Sequence, residues 1–170
     1  MSSNVVHQFE AISNDLVTSL ISALDALQLP DEQPVFFYPG TSEYKTYWQT
    51  CPDKMTALCS QLDKVNRYEY NAIFILRNEE REKGLDHPRY GPQACISLGS
   101  SVGNRLCLDG DYVDDHNRLV IFDGTKIPYE TDKQLSGDLY RIHFFKIYDF
   151  INNITAVSNL AGQDLNTFLF

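Results

Sequence analysis

The length, composition and charge of the chain indicate one globular domain and argue against several classes of protein. The 170 residues are 43% hydrophobic and 22% charged, a composition that is neither disordered nor membrane-like. The formal net charge of −9, with no Lys/Arg run interleaved with aromatic residues, argues against nonspecific nucleic-acid binding. The sequence has no signal-peptide pattern and no stretch of the roughly 20 apolar residues that span a membrane. We therefore expect an intracellular and most simply cytoplasmic protein, with an organelle as the alternative.

The four cysteines do not form a metal or redox motif. No two of them have the C-x-x-C spacing that zinc ribbons and thioredoxin-like sites require. Cys95 and Cys107 lie in apolar runs, so we expect both to be small core residues in a reducing compartment.

The first part of the chain predicts mainly helices. Apolar residues recur at helical spacing over 5–29, and Pro30 ends the pattern. A short aromatic strand is predicted at 35–38, followed by a short helix with aromatic residues one turn apart. Asp53 is suited to cap a further helix that runs to about Val65.

The rest of the chain predicts strands and then a last helix. Five runs bounded by Gly, Asp, Asn or Pro predict strands, at 70–76, 94–98, 105–108, 118–122 and 139–147. Helical spacing returns after Tyr148, and the chain ends in the apolar tail 168–170. Helices followed by strands indicate an α+β domain whose helices back one antiparallel sheet.

We therefore expect a single domain over 1–170. Residues 1–66 are predicted to be helical support with one short strand, 70–148 the β core, and 149–170 a C-terminal helix with the apolar tail.

Three stretches form a pattern when they are taken in order. They are N-A-I-F-I-L at 71–76, G-L-D at 84–86 leading through Gly91-Pro92 to I-S-L-G at 96–99, and F-D-G at 122–124 leading through G-D-L-Y at 137–140 to Phe144-Phe145. In this order and spacing, over about residues 35–148, they resemble the core of the Fe(II)/2-oxoglutarate-dependent dioxygenase superfamily. The resemblance implies a double-stranded β-helix, a jelly-roll or cupin-like core, backed by the N-terminal helices.

That superfamily binds iron through an H-x-D pair and a second histidine, and an arginine binds the carboxylate of 2-oxoglutarate. Aligned on the motifs, the iron-binding carboxylate falls on Asp86 and the first histidine on Gly84. The second histidine falls on Pro128 or, with a better fit, on Tyr129, and the arginine falls on Leu139, which cannot replace it. The resemblance thus implies a scaffold without most of its metal-binding triad, and we predict no catalytic residues and no cofactor.

An active oxygenase with rearranged ligands is the alternative. It would bind Fe(II) through Asp86 together with His87, His116 or His143, use 2-oxoglutarate, and hydroxylate a protein side chain or a nucleobase. Asp86 and His87 are adjacent, so joint ligation would require a turn.

Strand alternation predicts a remnant pocket. Arg141 and His143 share a strand face with Leu139, and with Asp86 and Tyr129 they form the predicted pocket. In one interpretation Arg141 binds a small anion there. In the other, which we favour, Arg141 pairs with a core carboxylate such as Asp86 and seals the barrel.

Two charged segments are predicted to be solvated surface loops. D-G-D-Y-V-D-D-H at 109–116 lies between predicted strands and lacks the EF-hand pattern, and E-E-R-E-K at 79–83 is typical of a charged turn.

The missing ligands favour a non-catalytic oxygenase-like domain that is a binding or structural component of a larger assembly. We therefore expect a protein partner and no enzyme activity, although a fold does not fix a function. The rearranged oxygenase and a small-anion-binding protein are the alternatives.

Overall fold

The amphipathic segments form three helices in the computed structural model, which describes residues 6–147. The helices are α1 (Asn14–Ala26), α2 (Ser42–Thr50) and α3 (Pro52–Val65). Ser13 caps α1 because its side chain accepts a hydrogen bond from the backbone N–H of Leu16, and Thr41 caps α2 in the same way. Pro52 begins α3, where a missing N–H costs no helical hydrogen bond.

The strands form three antiparallel sheets. They are β1 (His7–Ala11), β2 (Val35–Phe37), β3 (Ala72–Arg77), β4 (Gln93–Gly99), β5 (Val102–Gly103), β6 (Leu106–Leu108), β7 (Asp111–Tyr112), β8 (Arg118–Phe122), β9 (Tyr129–Thr131), β10 (Gln134–Ser136) and β11 (Leu139–Phe145). The large sheet has the order β1-β8-β4-β11-β3-β2, and the small sheets are β7-β6-β9 and β10-β5.

One face of the large sheet packs on the helices. Alternate residues of β4 and β11 contribute buried apolar side chains to a core shared with α1 and α3. From the sheet these are Ala94, Ile96, Leu98, Tyr140, Ile142 and Phe144, and from the two helices Leu20, Leu24, Met55, Leu58 and Leu62. Helices therefore back the sheet, as the sequence predicts.

The opposite face of the large sheet packs against the sheet β7-β6-β9. Cys95, Val120 and Phe122 of the large sheet form a second core with apolar residues of the small sheet and of the segment before β9. The intervening positions on the same face are polar, namely Gln93, Ser97, Arg141 and His143, and all are buried. A polar layer thus lies between the two sheets.

The N-terminal helix begins later than predicted. Residues 7–11, which the apolar spacing assigns to a helix over 5–29, form β1 and pair with β8. Hydrogen bonds to β8 satisfy backbone N–H and carbonyl groups of this segment. The Ser13 cap fixes the start of α1 at Asn14.

All six predicted strands, the aromatic strand at 35–38 and the five later runs, are present, with ends shifted by at most two residues. The sequence pattern did not predict the strands β1, β5, β7, β9 and β10, most of which have only two or three residues. The predicted C-terminal helix and apolar tail, 149–170, lie outside the described residues.

Two expectations about composition can be compared with the described part of the chain. Cys95 and Cys107 are buried free thiols, as predicted. No helix within residues 6–147 is both long enough and apolar enough to cross a membrane.

Candidate functional site

The positions that the resemblance aligns with the iron ligands lie side by side. Gly84 and Tyr129 face each other across an antiparallel bridge, with backbone N–H to carbonyl distances of 3.2 and 3.0 Å. Residues paired in this way present their side chains on the same face. The Tyr129 hydroxyl donates to Oδ1 of Asp86 at 2.7 Å. The second histidine position is therefore filled by Tyr129, and the first has no side chain at all.

The carboxylate of Asp86 accepts hydrogen bonds at both oxygens. Besides Tyr129, the guanidinium of Arg81 donates to Oδ1 at 3.3 Å and the amide nitrogen of Gln93 donates to Oδ2 at 2.8 Å. Burial raises the pKa of Asp86, while the bond from Tyr129, the charge of Arg81 and the bond from Gln93 oppose that rise. These donors occupy three of the roughly four lone-pair positions of the carboxylate, including both on Oδ1.

Tyr129 is held as a neutral phenol. Burial, and next the negative charge of Asp86, raise its pKa, so the hydroxyl keeps its proton and donates it. The guanidinium carbon of Arg81 lies 3.7 Å from the centre of the Tyr129 ring, and its Nε donates to the Tyr129 carbonyl at 3.3 Å. The prediction that 79–83 is only a surface turn is therefore wrong for Arg81.

The amide of Gln93 connects Asp86 to His143. Its Nε2 donates to Asp86 and lies 3.1 Å from the Tyr129 hydroxyl, so its Oε1 faces the other way and accepts from Nδ1 of His143. Because an amide oxygen only accepts, Nδ1 of His143 carries a hydrogen.

His143 is neutral at physiological pH. Burial, and then the charges of Arg141 and Arg81, lower its pKa to about 3. With Nδ1 protonated, Nε2 carries a lone pair, and no described residue forms a hydrogen bond with it. His143 therefore presents an acceptor atom that is available to a ligand.

Arg141 forms a buried ion pair with Asp115. Its Nε is 2.9 Å from Oδ2 of Asp115, and its two terminal nitrogens donate to the side-chain oxygen and the carbonyl of Asn104 at 3.0 and 2.8 Å. The hydroxyl of Ser97 also donates to Asp115 at 2.9 Å. Arg141 is 2% exposed and Asp115 4%.

This pair confirms one expectation and corrects another. Arg141 pairs with a core carboxylate, as the favoured interpretation predicts, although that carboxylate is Asp115 and not Asp86. Asp115 belongs to the stretch 109–116, and the expectation that this stretch is solvated is wrong for Asp115. The turn at 109–110 is exposed, but Asp115 precedes β8 and points between the sheets. Since Asp115 compensates the charge of Arg141, a small anion would have to compete with an internal carboxylate.

All four predicted pocket residues, Asp86, Tyr129, Arg141 and His143, line one cavity of about 460 Å³. The cavity lies beside the buried ion pair of Arg141. Aromatic walls come from Phe74, Tyr90 and Phe145, and the acidic residues of the 79–82 segment contribute to the rim.

The other histidines proposed as alternative ligands bind the backbone elsewhere. Nδ1 of His87 accepts from the N–H of Arg89 and caps a short 3-10 turn, and Nε2 of His116 lies 3.0 Å from the carbonyl of Gly99. Within residues 6–147, no group of three His, Cys, Asp or Glu side chains is arranged to hold a metal ion. The described side chains thus do not fit the iron site of the resemblance.

Gln93, Arg81, Asp115 and Gly124 contribute to the site without having been predicted. A Cβ atom at Gly124 would lie 2.4 Å from Oδ2 of Asp86 and 2.9 Å from Nε2 of Gln93, so only glycine leaves room for this contact. The one available signal was the alternation of β4, which places Gln93 on the same face as Cys95.

The fold is shared with solved oxygenase structures. The chain is similar to a Pseudomonas putida prolyl-4-hydroxylase (TM-score 0.55, 18% identity, covering 86% of this chain and 94% of that chain). It is also similar to NgTET1 in complex with 5mC DNA (TM-score 0.59, 11% identity, covering 91% of this chain and 80% of that chain). A third similar structure is the viral collagen prolyl hydroxylase of Paramecium Bursaria Chlorella virus-1 in its 2OG complex (TM-score 0.53, 12% identity, covering 82% of this chain and 94% of that chain). The chain matches no protein-family model, and no curated protein matches it significantly.

At these identities the likeness establishes the fold. The α+β double-stranded β-helix and its resemblance to the oxygenase superfamily are confirmed at that level. The prediction of no cofactor is wrong at the level of the fold, because one of these structural neighbours, the viral collagen prolyl hydroxylase, was solved as a 2OG complex.

The buried ion pair generates a stability prediction. Arg141→Met leaves Asp115 buried without its cation and should lower the free energy of unfolding by about 3–5 kcal/mol. The double variant Arg141→Met/Asp115→Leu should lose much less than the sum of the two single variants. Guanidinium denaturation measures each value.

Arg105→Met is the matched control, because the Arg105–Asp132 pair is largely exposed, and it should have little effect. Additive losses for Arg141 and Asp115 would contradict the proposed coupling.

The neutrality of His143 generates a pH prediction. The folded-state pKa of about 3 lies below the usual unfolded value of about 6.5, so only the unfolded chain takes up this proton between these pH values. Below about pH 6.5 this group should therefore lower the free energy of unfolding by up to about 1.4 kcal/mol per pH unit. Denaturation curves at a series of pH values should show a shallower loss for His143→Gln. Equal slopes in both proteins would mean that His143 is not buried as the neutral form.

Proposed function

We propose that this protein is a non-catalytic domain of the oxygenase fold that binds a ligand in its cavity, as a component of a larger protein assembly. Its action on that ligand is recognition and not oxidation. The cavity between the sheets is the binding site, and its polar layer provides a fixed set of hydrogen-bonding groups.

The observation that carries this proposal is the bonding of Asp86. Its two oxygens accept from Tyr129, Arg81 and Gln93, and the facing position is Gly84. A ferrous oxygenase centre needs ligands with free lone pairs and open coordination positions for oxygen and cosubstrate. Here the same positions form a satisfied hydrogen-bond network, which favours a rigid wall.

The cavity supports a binding role because it persists beside this network. It measures about 460 Å³ and combines aromatic walls with a few polar groups, which is the usual construction of a ligand site. A protein partner is favoured by the chain's acidity, with a net charge of −9 that complements a basic surface.

The test is turnover of 2-oxoglutarate by the full-length protein with added Fe(II) and ascorbate, measured as succinate by NMR. We expect no succinate above the level formed without protein. Succinate that depends on the protein and disappears in Asp86→Asn would overturn the proposal.

A variant that restores the aligned histidines shows whether the assay and the alignment are sound. A Cβ atom at Gly84 meets nothing within 4 Å, so a side chain can begin at this position and Gly84→His/Tyr129→His is a suitable variant. It should bind Co(II), followed by visible absorption, more tightly than the native protein. In the matched control Leu85→His/Tyr129→His, the new histidine replaces an exposed residue and this gain should be absent.

A further inference from the structure

The rim of the cavity carries uncompensated negative charge. Glu79, Glu80 and Glu82 line it. Lys83, next in sequence, does not line the cavity, and neither does Arg89, although the guanidinium carbon of Arg89 lies 5.0 Å from the ring centre of Tyr90 in the cavity wall. A ligand that enters here therefore meets carboxylates first.

The two cations that do line the cavity are already paired. Arg81 contacts Asp86 at 3.3 Å, and Arg141 contacts the buried Asp115 at 2.9 Å. Both guanidinium groups still act on the interior of the cavity, where their charges lower the pKa of His143. The excess of negative charge is therefore confined to the glutamates of the rim, which form no ion pair with a described cation, and it is there that the field favours a cation.

Glu79 adds a second indication. Its Oε2 is buried and has no hydrogen-bond partner among the described residues. Burial, and then the charge of Glu32, raise the pKa of Glu79. A buried acceptor without a donor is costly, so Glu79 adds an unsatisfied acidic group to the lining of the cavity.

The walls suit a cation as well. The ring centres of Tyr90 and Phe145 lie 5.0 Å apart, and the ring of Phe145 stacks on that of His143 with an interplanar angle of 12°. Aromatic faces attract ammonium and guanidinium groups, most strongly where water is excluded.

His143 supplies a buried acceptor in the same cavity. It is 4% exposed, and its Nε2 lone pair, fixed by the orientation of Gln93, is bonded to no described residue. The ligand must therefore donate a hydrogen bond at this point.

A groove next to the cavity extends the acidic surface. It shares Glu79 and Glu80 with the cavity, adds Asp31 and Glu32, and includes the apolar side chain of Leu135, which is 69% exposed. A flanking stretch of polypeptide has room there, whereas a small free amine would leave it unused.

We infer that the cavity binds the ammonium or guanidinium group of a basic side chain, presented by a peptide segment of a partner protein. The inference rests on the proposed binding function and names its ligand class. The acidic rim attracts the cation, the aromatic walls contact it, and Nε2 of His143 accepts a hydrogen bond from the bound segment.

The experiment uses the full-length protein and a set of short fluorescein-labelled alanine-based peptides. Each peptide carries one central Arg, Lys, citrulline or Glu, with a leucine beside it for the groove. Fluorescence anisotropy should show binding of the Arg or Lys peptide and at least about tenfold weaker binding of the citrulline and Glu peptides. Butylguanidinium and butylammonium, as competitors, represent a free amine.

Two double variants separate the rim from general charge. Glu79→Gln/Glu82→Gln should weaken the cationic peptide about tenfold, while Glu80 is kept because it accepts from the backbone N–H of Gln134. Asp109→Asn/Asp111→Asn removes the same charge from exposed residues that do not line the cavity and should have no effect.

The outcomes distinguish the inference from the proposed function. The inference that the ligand is a cation would be overturned by any of three results: equal binding of the citrulline peptide, equal loss in both double variants, or no binding of any probe. The inference that a peptide presents this cation would be overturned if the free competitors bind as tightly as the peptide. Binding of the Glu peptide or of 2-oxoglutarate without succinate formation would overturn the inference and leave the proposed function standing.

Discussion

The buried side-chain amide of Gln93 is the constraint on which the site depends. One end donates to Asp86, which fixes the amide's orientation, and the other end accepts from Nδ1 of His143. Two properties follow without further assumption. The carboxylate of Asp86 accepts hydrogen bonds within the protein. The imidazole of His143, which lines the cavity, keeps a lone pair on Nε2 that no described residue uses. Gly124 is required behind this contact because any side chain would displace it.

The second polar unit of the layer, Arg141 with Asp115 and Asn104, has a different role. It joins the large sheet to segments on the opposite side, and every group in it is nearly inaccessible to solvent. Removing one partner of such a pair is strongly destabilising, whereas replacing both by apolar residues of similar volume is often neutral. Asp115 also compensates Arg141 at close range, while the glutamates of the rim form no ion pair with a described cation.

The fold was largely predictable and the site only in part, for physical reasons. Strands such as β4 and β11 are apolar runs that follow Gly91-Pro92 and Gly137, and the resemblance to the oxygenases selected Asp86, so both were found. Alternation along β4 gives only the face on which Gln93 lies, and Asp115 carries no periodic signal, because the roles of both arise from long-range pairing across the sheets. The spacing of its apolar residues assigned β1 to a helix. Backbone pairing with β8 overrides that spacing, and the segment forms a strand.

The protonation state of His143 tests the central claim most directly. Long-range proton–nitrogen correlation spectra of the 15N-labelled protein, with the signal assigned through His143→Gln, report which ring nitrogen bears the proton. The hydrogen-bond network predicts a neutral ring protonated at Nδ1 and unchanged between about pH 8 and pH 5. A ring protonated at Nε2, or one that becomes charged in that range, would contradict the network and the binding site built on it.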